Sequence, residues 1–158
     1  MNVLIDSGYL NVLCSPGLNP DFEAWLRDRQ SEHPDLLVVI PEIVDYEVRR
    51  GFLWRMKHHA KEGDRANHRR VAGFLERLDS LSSARQVRLL PTTKEVLERA
   101  AELWAEARSG GYPTAAEDRI DIDVIVASHA VGENAEVATT DRRDYRRYGL
   151  KVAETTSR

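Results

Sequence analysis

The stretch 36–40 reads Leu-Leu-Val-Val-Ile, an uninterrupted apolar run of strand length. A strand with one wet face alternates apolar and polar residues, whereas a strand of a parallel sheet is covered on both faces and is apolar throughout. Segments 2–5, 86–90 and 136–140 are also predicted as strands, and 151–153 is a candidate last strand. Helical stretches separate these segments. The alternation predicts an α/β fold with a doubly wound, mainly parallel sheet.

Capping signals predict where several helices begin. Asn19 precedes Pro20, which is the arrangement of an N-cap followed by proline at the first helical position. Thr92 and Glu95 have the spacing of a capping box, ahead of a strongly amphipathic stretch. A helix of small apolar residues is predicted at 121–131. Two further helices are predicted to begin at Pro41 and Asp64.

Length and composition predict a single soluble domain over residues 1–158. The net charge of −3 argues against a uniformly basic nucleic-acid binder, although it allows a local basic patch. Cys14 is the only cysteine, which excludes an internal disulfide and favours a reducing, cytoplasmic compartment. No apolar run approaches the roughly 20 residues that span a bilayer, so no membrane association is expected.

Two acids follow predicted strands directly. Asp6 comes immediately after Val3-Leu4-Ile5, and Asp141 follows the strand at 136–140. In open α/β sheets the carboxyl edge of the strands is where ligands bind. Both side chains are therefore candidate site residues, while an Asx turn leading into the next loop is the alternative for Asp141.

Two further acids lie on apolar helix faces. Glu47 follows Ile43 and Val44 at helical spacing, and Asp123 heads the stripe that continues with Val126. A buried carboxylate is costly without a partner, so each is read as a metal ligand or water-holding acid. The alternative for Glu47 is a structural salt bridge to an arginine of its helix, and for Asp123 it is a favourable charge at a helix start.

Asp121 competes with Asp123 for the same role. Two residues of one helix point about 200° apart, so both cannot face one site if both are helical. If Asp121 is the N-cap, its carboxylate is occupied by backbone N–H groups. We therefore favour Asp123. Four carboxylates meeting in one cleft, without a thiolate or histidine cluster, are typical of a hard divalent cation site.

The segment 49–70 is locally basic. It contains eight lysines and arginines, two acids and three histidines. A solvated helix face is one interpretation, and phosphate contact beside the acidic site is the other. The histidines lack a recognisable zinc-ligand spacing. The candidate RNA-contacting residues are Arg50, Arg55, Lys57 and Lys61.

Other phosphate-handling classes lack their motifs in this chain. It has no glycine-rich dinucleotide loop and no Walker A loop. Ser7 and Gly8 follow Asp6, so the D-x-D spacing of haloacid-dehalogenase-like phosphatases is missing. The strand at 36–40 ends in Pro41 rather than an aspartate, which disfavours a phospho-accepting receiver domain.

Four segments together resemble the PIN-domain family, specifically its VapC-like toxins. These are V-L-I-D-S around Asp6, P-E-I-V-D-Y-E-V-R-R-G around Glu47, D-V-I-V-A-S-H-A from Asp123, and A-T-T-D-R-R-D-Y containing Asp141. They occur in the family's order and span nearly the whole chain. The family often has asparagine where this chain has Gly8, which affects a small polar contact rather than the metal site.

The resemblance implies a three-layer α/β/α sandwich with a mainly parallel central sheet. It further implies an endoribonuclease that depends on Mg²⁺ or Mn²⁺ and acts as the toxin of a toxin–antitoxin pair, with RNA as substrate, an antitoxin as partner, and a homodimer as its assembly. A weakly catalytic module that binds RNA or protein and a structure-specific DNA nuclease are the alternatives. The four matching acids are its catalytic and metal-binding candidates, and the candidate neighbours of that site are Ser7, Asp118, Asp121 and Thr140.

Overall fold

Four parallel strands form the central sheet of the protein. The computed structural model describes residues 1–112 and 121–155. Its strands are β1 (Asn2–Ile5), β2 (Leu37–Pro41), β3 (Val87–Leu90) and β4 (Glu136–Ala138), in the order β3-β2-β1-β4. All four predicted strands are confirmed: β1 has its predicted bounds, and each of the other three is shifted by one or two residues at one or both ends. The candidate strand at 151–153 is reduced to one parallel bridge, between Val152 and Val137.

The described helices alternate with these strands. Capping explains several of their starts: Asn19 accepts a hydrogen bond from Phe22 N at 3.0 Å, and Asp64 accepts one from Asn67 N at 3.0 Å. The helices are α1 (Ser7–Cys14), α2 (Pro20–Glu32), α3 (Glu42–Lys61), α4 (Arg65–Ser82), α5 (Lys94–Ser109), α6 (Ile122–Glu133) and α7 (Arg142–Arg146).

One predicted cap is wrong by a residue. Thr93, not Thr92, is the N-cap of α5 and accepts a hydrogen bond from Val96 N at 3.4 Å. Thr92 instead contacts two other helices. Its N–H donates to a carboxylate oxygen of Glu42 in α3 at 3.2 Å, and its hydroxyl lies 3.4 Å from Nε2 of His129 in α6. Tertiary partners therefore displace the local capping box.

The strand order places helices on both faces of the sheet. The chain moves from β1 through β2 to β3 in one direction, then returns past β1 to β4. Parallel crossovers are right-handed, so this reversal puts α5 and α6 on the face opposite α1 to α4. The packing agrees: α1 contacts α3 and α4, while α5 packs against α6. The predicted α/β/α sandwich with a parallel sheet is confirmed.

The core lies on the two central strands. Val3, Leu4 and Ile5 of β1 are fully buried, as are Val39 and its neighbours in β2. Cys14 is buried among them and acts as a small apolar residue. In the described ranges no helix has the length and apolar character needed to cross a bilayer.

Reversal of the chain at β1 creates a topological switch point between β1 and β4. Ligands of open α/β sheets bind in the crevice beyond the carboxyl ends of the strands at such a point. Asp6 follows β1 there, and Thr139 and Asp141 follow β4. The backbone N–H of Asp6 donates to Ala138 O at 3.2 Å, which holds the two strand ends together. The sheet topology thus selects the edge on which the predicted acids lie.

Candidate active site

Asp6 is the most firmly held acid of the site. It is the N-cap of α1, and its carboxylate accepts a hydrogen bond from Tyr9 N at 3.0 Å. Further hydrogen bonds come from Gly8 N–H and from the Thr139 hydroxyl. Only 8% of Asp6 is exposed. Burial raises the pKa of Asp6, the three hydrogen bonds oppose that rise, and the charge of Glu47 adds to it.

Glu47 projects from the first half of α3 and is half-buried. Neither Arg50 nor Arg55 forms a salt bridge with Glu47, which was the alternative role for this residue, and both arginines have other contacts. Arg50 places its guanidinium carbon 5.4 Å from the centre of the Tyr46 ring. Arg55 donates to Asn11 Oδ1 at 3.3 Å. Glu47 therefore contributes negative charge to the cleft without a cation of its own helix beside it.

Asp121 and Asp123 have different positions at the start of α6, as their spacing of two residues predicts. Asp121 is the N-cap of α6 and accepts a hydrogen bond from Val124 N at 3.3 Å. Asp123 lies in the first turn, where its side chain is exposed at the mouth of the cleft. Desolvation by the surrounding protein raises the pKa of Asp123 to about 6, with further contributions from the charges of Asp121, Asp144 and Glu47.

Asp141 lies at the rim of this group. It is the N-cap of α7, accepts a hydrogen bond from Asp144 N at 3.4 Å, and is exposed. Its backbone N–H donates to Thr139 Oγ1 at 2.9 Å, and the Thr139 hydroxyl also contacts Asp6. The charge of Glu47 thus acts on both Asp6 and Asp123. Asp141 is linked to them through Thr139 and through Asp144.

Tyr145 is a site residue that the sequence reasoning missed. Its ring is buried, with 2% exposure. Burial raises the pKa of its hydroxyl, as do the charges of Asp123, Asp6 and Glu47 and a hydrogen bond to Asp123. The hydroxyl therefore lies among the three central acids. The available signal was an aromatic residue four positions after Asp141 in an otherwise charged stretch.

Thr139 was also missed, because Thr140 was expected in its place. Thr139 is fully buried and hydrogen-bonds to Asp6. Thr140 is exposed, and its hydroxyl would lie 3.0 Å from a Cβ added at Gly8. An asparagine at position 8 would therefore force Thr140 to move. Ser7 is the half-buried first residue of α1.

The other expected neighbour of the site, Asp118, lies outside the described residues. No structural role is assigned to it.

Three of the four candidate basic residues are exposed on α3: Arg50, Lys57 and Lys61. Arg55 differs, because it is half-buried, stands over the Phe52 ring at 4.8 Å and donates to Asn11 of α1. Arg55 therefore links α3 to α1, whereas the other three are accessible to a ligand.

The acids have the right chemistry to bind a hard cation, but their side chains are not grouped closely enough to surround one. Carboxylate oxygens are the donors that Mg²⁺ and Mn²⁺ prefer. Across residues 1–112 and 121–155, however, no three acidic, histidine or cysteine side chains stand close enough to form a ready-made metal site. Mg²⁺ commonly uses one or two carboxylates and keeps its remaining ligands as water or substrate phosphate. The Asp6 and Asp123 carboxylates fit that mode of binding.

A separate groove lies at the opposite edge of the sheet. It has a volume of about 780 Å³ and is lined by apolar residues that include Leu13, Leu26, Leu81 and Val87. None of the acids described above contributes to its lining. The cleft between β1 and β4, rather than this groove, is therefore the candidate catalytic site.

Comparisons with known proteins cover nearly the whole chain. The sequence profile of the PIN domain matches residues 3–150. No curated protein sequence matches the chain significantly.

Solved structures of similar fold include chains of three bacterial toxin–antitoxin assemblies. A chain of FitAcB from Neisseria gonorrhoeae matches with a TM-score of 0.71 and 22% identity, covering 97% of each chain. A chain of VapBC-1 from nontypeable Haemophilus influenzae matches with a TM-score of 0.70 and 16% identity, covering 99% of this chain and 100% of the other. A third match is VapBC2 from Rickettsia felis bound to a DNA fragment from their promoter, with a TM-score of 0.68, 17% identity, and coverage of 97% and 98%. At these identities the likeness shows a shared fold.

Proposed function

The chain belongs to the PIN-domain family, and we propose from this membership and the site geometry that it is a divalent-metal-dependent endoribonuclease. One observation carries the proposal. Asp6, Glu47 and Asp123 come from three separate elements and meet at the topological switch point, where burial raises the pKa of both aspartates and the charge of Glu47 adds a smaller rise. Carboxylates that converge from separate elements on one partly buried cleft are typical of a site that binds a cation.

Asp6 and Asp123 are the proposed metal-holding residues, with Glu47 and Asp141 completing the site. When bound, Mg²⁺ or Mn²⁺ would lower the pKa of a coordinated water and neutralise charge that develops on the phosphodiester. Asp6 is fixed in place by hydrogen bonds from Tyr9, Gly8 and Thr139, so its position does not depend on substrate.

The remaining acids would position water and its proton. Glu47 stands beside both aspartates and is suited to orient the attacking water. Tyr145 donates a hydrogen bond to Asp123 and thereby fixes that carboxylate. Because water rather than a 2′-hydroxyl attacks, we expect products with 5′-phosphate and 3′-hydroxyl ends.

The proposal also includes a protein partner. The fold matches chains of VapBC and FitAcB assemblies, and the sequence resembles VapC-like toxins. An antitoxin that blocks the acidic cleft would need a basic side chain, for which arginine is best suited because it binds carboxylates through two hydrogen bonds. The apolar groove lined by Leu13, Leu26 and Leu81 is a candidate surface for an antitoxin helix. Assembly as a homodimer remains a prediction.

A second function is supported by one observation. Because no three ligating side chains in the described ranges form a ready-made metal site, a PIN-fold module that binds RNA or protein without turnover is the competing proposal. The nuclease should cleave RNA when a divalent metal is present, whereas the binding module should not.

The test is a cleavage assay on structured RNAs and on single- and double-stranded DNA. Wild type and Asp6→Asn are compared with Mg²⁺ and with a chelator. We expect RNA cleavage that requires the metal and is lost in the variant, with 5′-phosphate ends identified by mass spectrometry. Cleavage of DNA alone would support the DNA nuclease, and binding without cleavage would support the competing module.

Growth of bacteria provides an independent test of the toxin role. Expression of the wild-type chain without an antitoxin should slow growth, whereas Asp6→Asn should not. Normal growth with abundant soluble wild-type protein would contradict the toxin role.

A further inference from the structure

One face of α3 exposes aromatic rings to water. Trp54 has 66% of its surface exposed and Tyr46 has 54%. Large aromatic side chains usually bury most of their area, so two such rings on one helix require an explanation. Neither ring contributes to the core.

The exposed rings already stack with planar neighbours. The Trp54 and His58 rings lie parallel, with centroids 5.5 Å apart and an interplanar angle of 3°. Arg50 covers the Tyr46 ring with its guanidinium carbon 5.4 Å from the ring centre. Each pair presents flat surfaces that a further planar group can extend.

This face begins at the acidic cleft. Glu47 and Trp54 are seven residues apart, almost two turns, so they lie on nearly the same side of α3 with about 10 Å between them along the axis. His58 lies a further turn away. A ligand that lies along this face therefore reaches Glu47 at one end.

Positive charges alternate with the rings. Arg50, Lys57 and Lys61 are exposed on the same side of the helix. His58 has an acidic partner, Glu62, at 3.3 Å. A polyanion complements this surface, whereas a second copy related by twofold symmetry would bring the same positive charges toward each other.

We propose that this α3 face binds an unpaired RNA strand and leads it to the acidic cleft. A base stacks on Trp54 and His58, and the flanking phosphates contact Arg50, Lys57 and Lys61. Bases within a duplex have no face available for stacking, so the surface selects single-stranded segments. The inference rests on the proposed function and adds to it a stacking surface on α3 that holds the substrate strand beside the site.

The test measures binding without turnover, in the Asp6→Asn background. The probes are a 12-nucleotide single-stranded RNA, an abasic ribose-phosphate strand of the same length, and a 12-base-pair duplex RNA. We expect Trp54→Ala to weaken binding of the base-containing strand by about tenfold or more, because one stack is lost. Binding of the abasic strand should be unchanged, and Trp54→Phe should retain most of the affinity. Tyr112→Ala, which removes a ring of 52% exposure outside α3, is the matched control.

Several results would overturn the inference. Equal loss of affinity for the base-containing and abasic strands in Trp54→Ala would show that no base stacks there, and so would unchanged affinity for both. Stronger binding of the duplex than of the single strand, or no RNA binding at all, would also contradict it. A change from dimer to monomer in Trp54→Ala, with RNA affinity per subunit unchanged, would assign the face to a second copy.

The two proposals fail in different ways. Selective, Trp54-dependent binding by a protein that cleaves nothing would support the surface and contradict the nuclease. Metal-dependent cleavage that is insensitive to Trp54→Ala would support the nuclease and contradict the surface.

Discussion

The two halves of α3 provide opposite electrostatic environments within one helix. The first half brings Glu47 to Asp6 and Asp123, where burial raises the pKa values of the aspartates and the charge of Glu47 adds to the rise. The second half exposes Lys57 and Lys61 beside aromatic rings. A nucleic acid would be attracted to the second half and repelled by the first, and under the proposed function a bound cation would offset that repulsion. The contrast indicates that binding and chemistry are separable on this helix.

The largest effect should come from the acidic half. Asp123→Asn should reduce metal-dependent cleavage by at least about a hundredfold, because it removes a charged ligand. Asp121→Asn should retain much more activity, since Asp121 caps α6 through Val124 N. Initial rates of both purified variants, with folding checked by circular dichroism, give the comparison. The reverse ranking would show that Asp121 is the ligand.

The exposed basic side chains of α3 should control the dependence of binding on salt. Neutralising Arg50, Lys57 and Lys61 to glutamine should flatten the slope of log affinity against log salt by about 2, because three fewer counterions are released from single-stranded RNA. Fluorescence anisotropy at several salt concentrations measures the slope. The matched control removes three other exposed charges: Arg27, Lys94 and Lys151. Equal slopes in the two triple variants would show that these three side chains form a solvated helix face that does not contact RNA.

A smaller effect should follow removal of one hydroxyl inside the cleft. Tyr145→Phe keeps the buried ring but loses the hydrogen bond to Asp123, and metal affinity should fall by about tenfold. Calorimetric titration with Mn²⁺ measures that change. Tyr9→Phe is the control, because it removes a buried hydroxyl that contacts Thr155 instead. Equal metal affinities for Tyr145→Phe and wild type would exclude a positioning role.

The smallest effect concerns stability without metal. The pKa of Asp123 is about 6 in the folded protein against an ordinary 3.8, so the folded state binds this proton more tightly than the unfolded chain. The stabilisation is complete below pH 4 and is lost as the pH rises to about 6. Asp123→Asn cannot ionise, so at pH 7.5 its melting temperature should exceed that of metal-free wild type by about 2 °C, a modest shift because the residue is exposed.

The difference in melting temperature between Asp123→Asn and metal-free wild type should depend on pH. Calorimetry from pH 3.5 to pH 8 should show it appearing between pH 4 and pH 6. A difference of constant size across that range would indicate packing rather than ionisation.

Local signals predicted most of the scaffold. The apolar run ending at Ile40 predicts a strand covered on both faces, and it is buried in the structure. Asn19 and Asp64 cap their helices as expected, because a cap acts within one turn. The location of Asp6 was also predictable from local sequence, because Asp6 directly follows β1 and therefore lies at the carboxyl end of that strand.

Contacts that depend on the fold were not predictable in this way. Nothing in the sequence distinguishes Thr139 from Thr140, since the direction of each side chain depends on how β4 meets β1. Tyr145 reaches the acids only because α7 packs beside α6. Asp141 follows a strand as Asp6 does, yet it caps a short exposed helix and lies at the rim.

Direct titration with Mn²⁺ most closely tests whether the acidic half of α3 belongs to a metal site. Electron paramagnetic resonance of the unbound ion is recorded as wild type or Asp6→Asn is added at pH 7.5. We expect wild type to bind Mn²⁺ and Asp6→Asn to bind it at least about tenfold more weakly, with competition by Mg²⁺. Equal binding by the two proteins, or none by wild type, would contradict a divalent-metal site formed by these carboxylates.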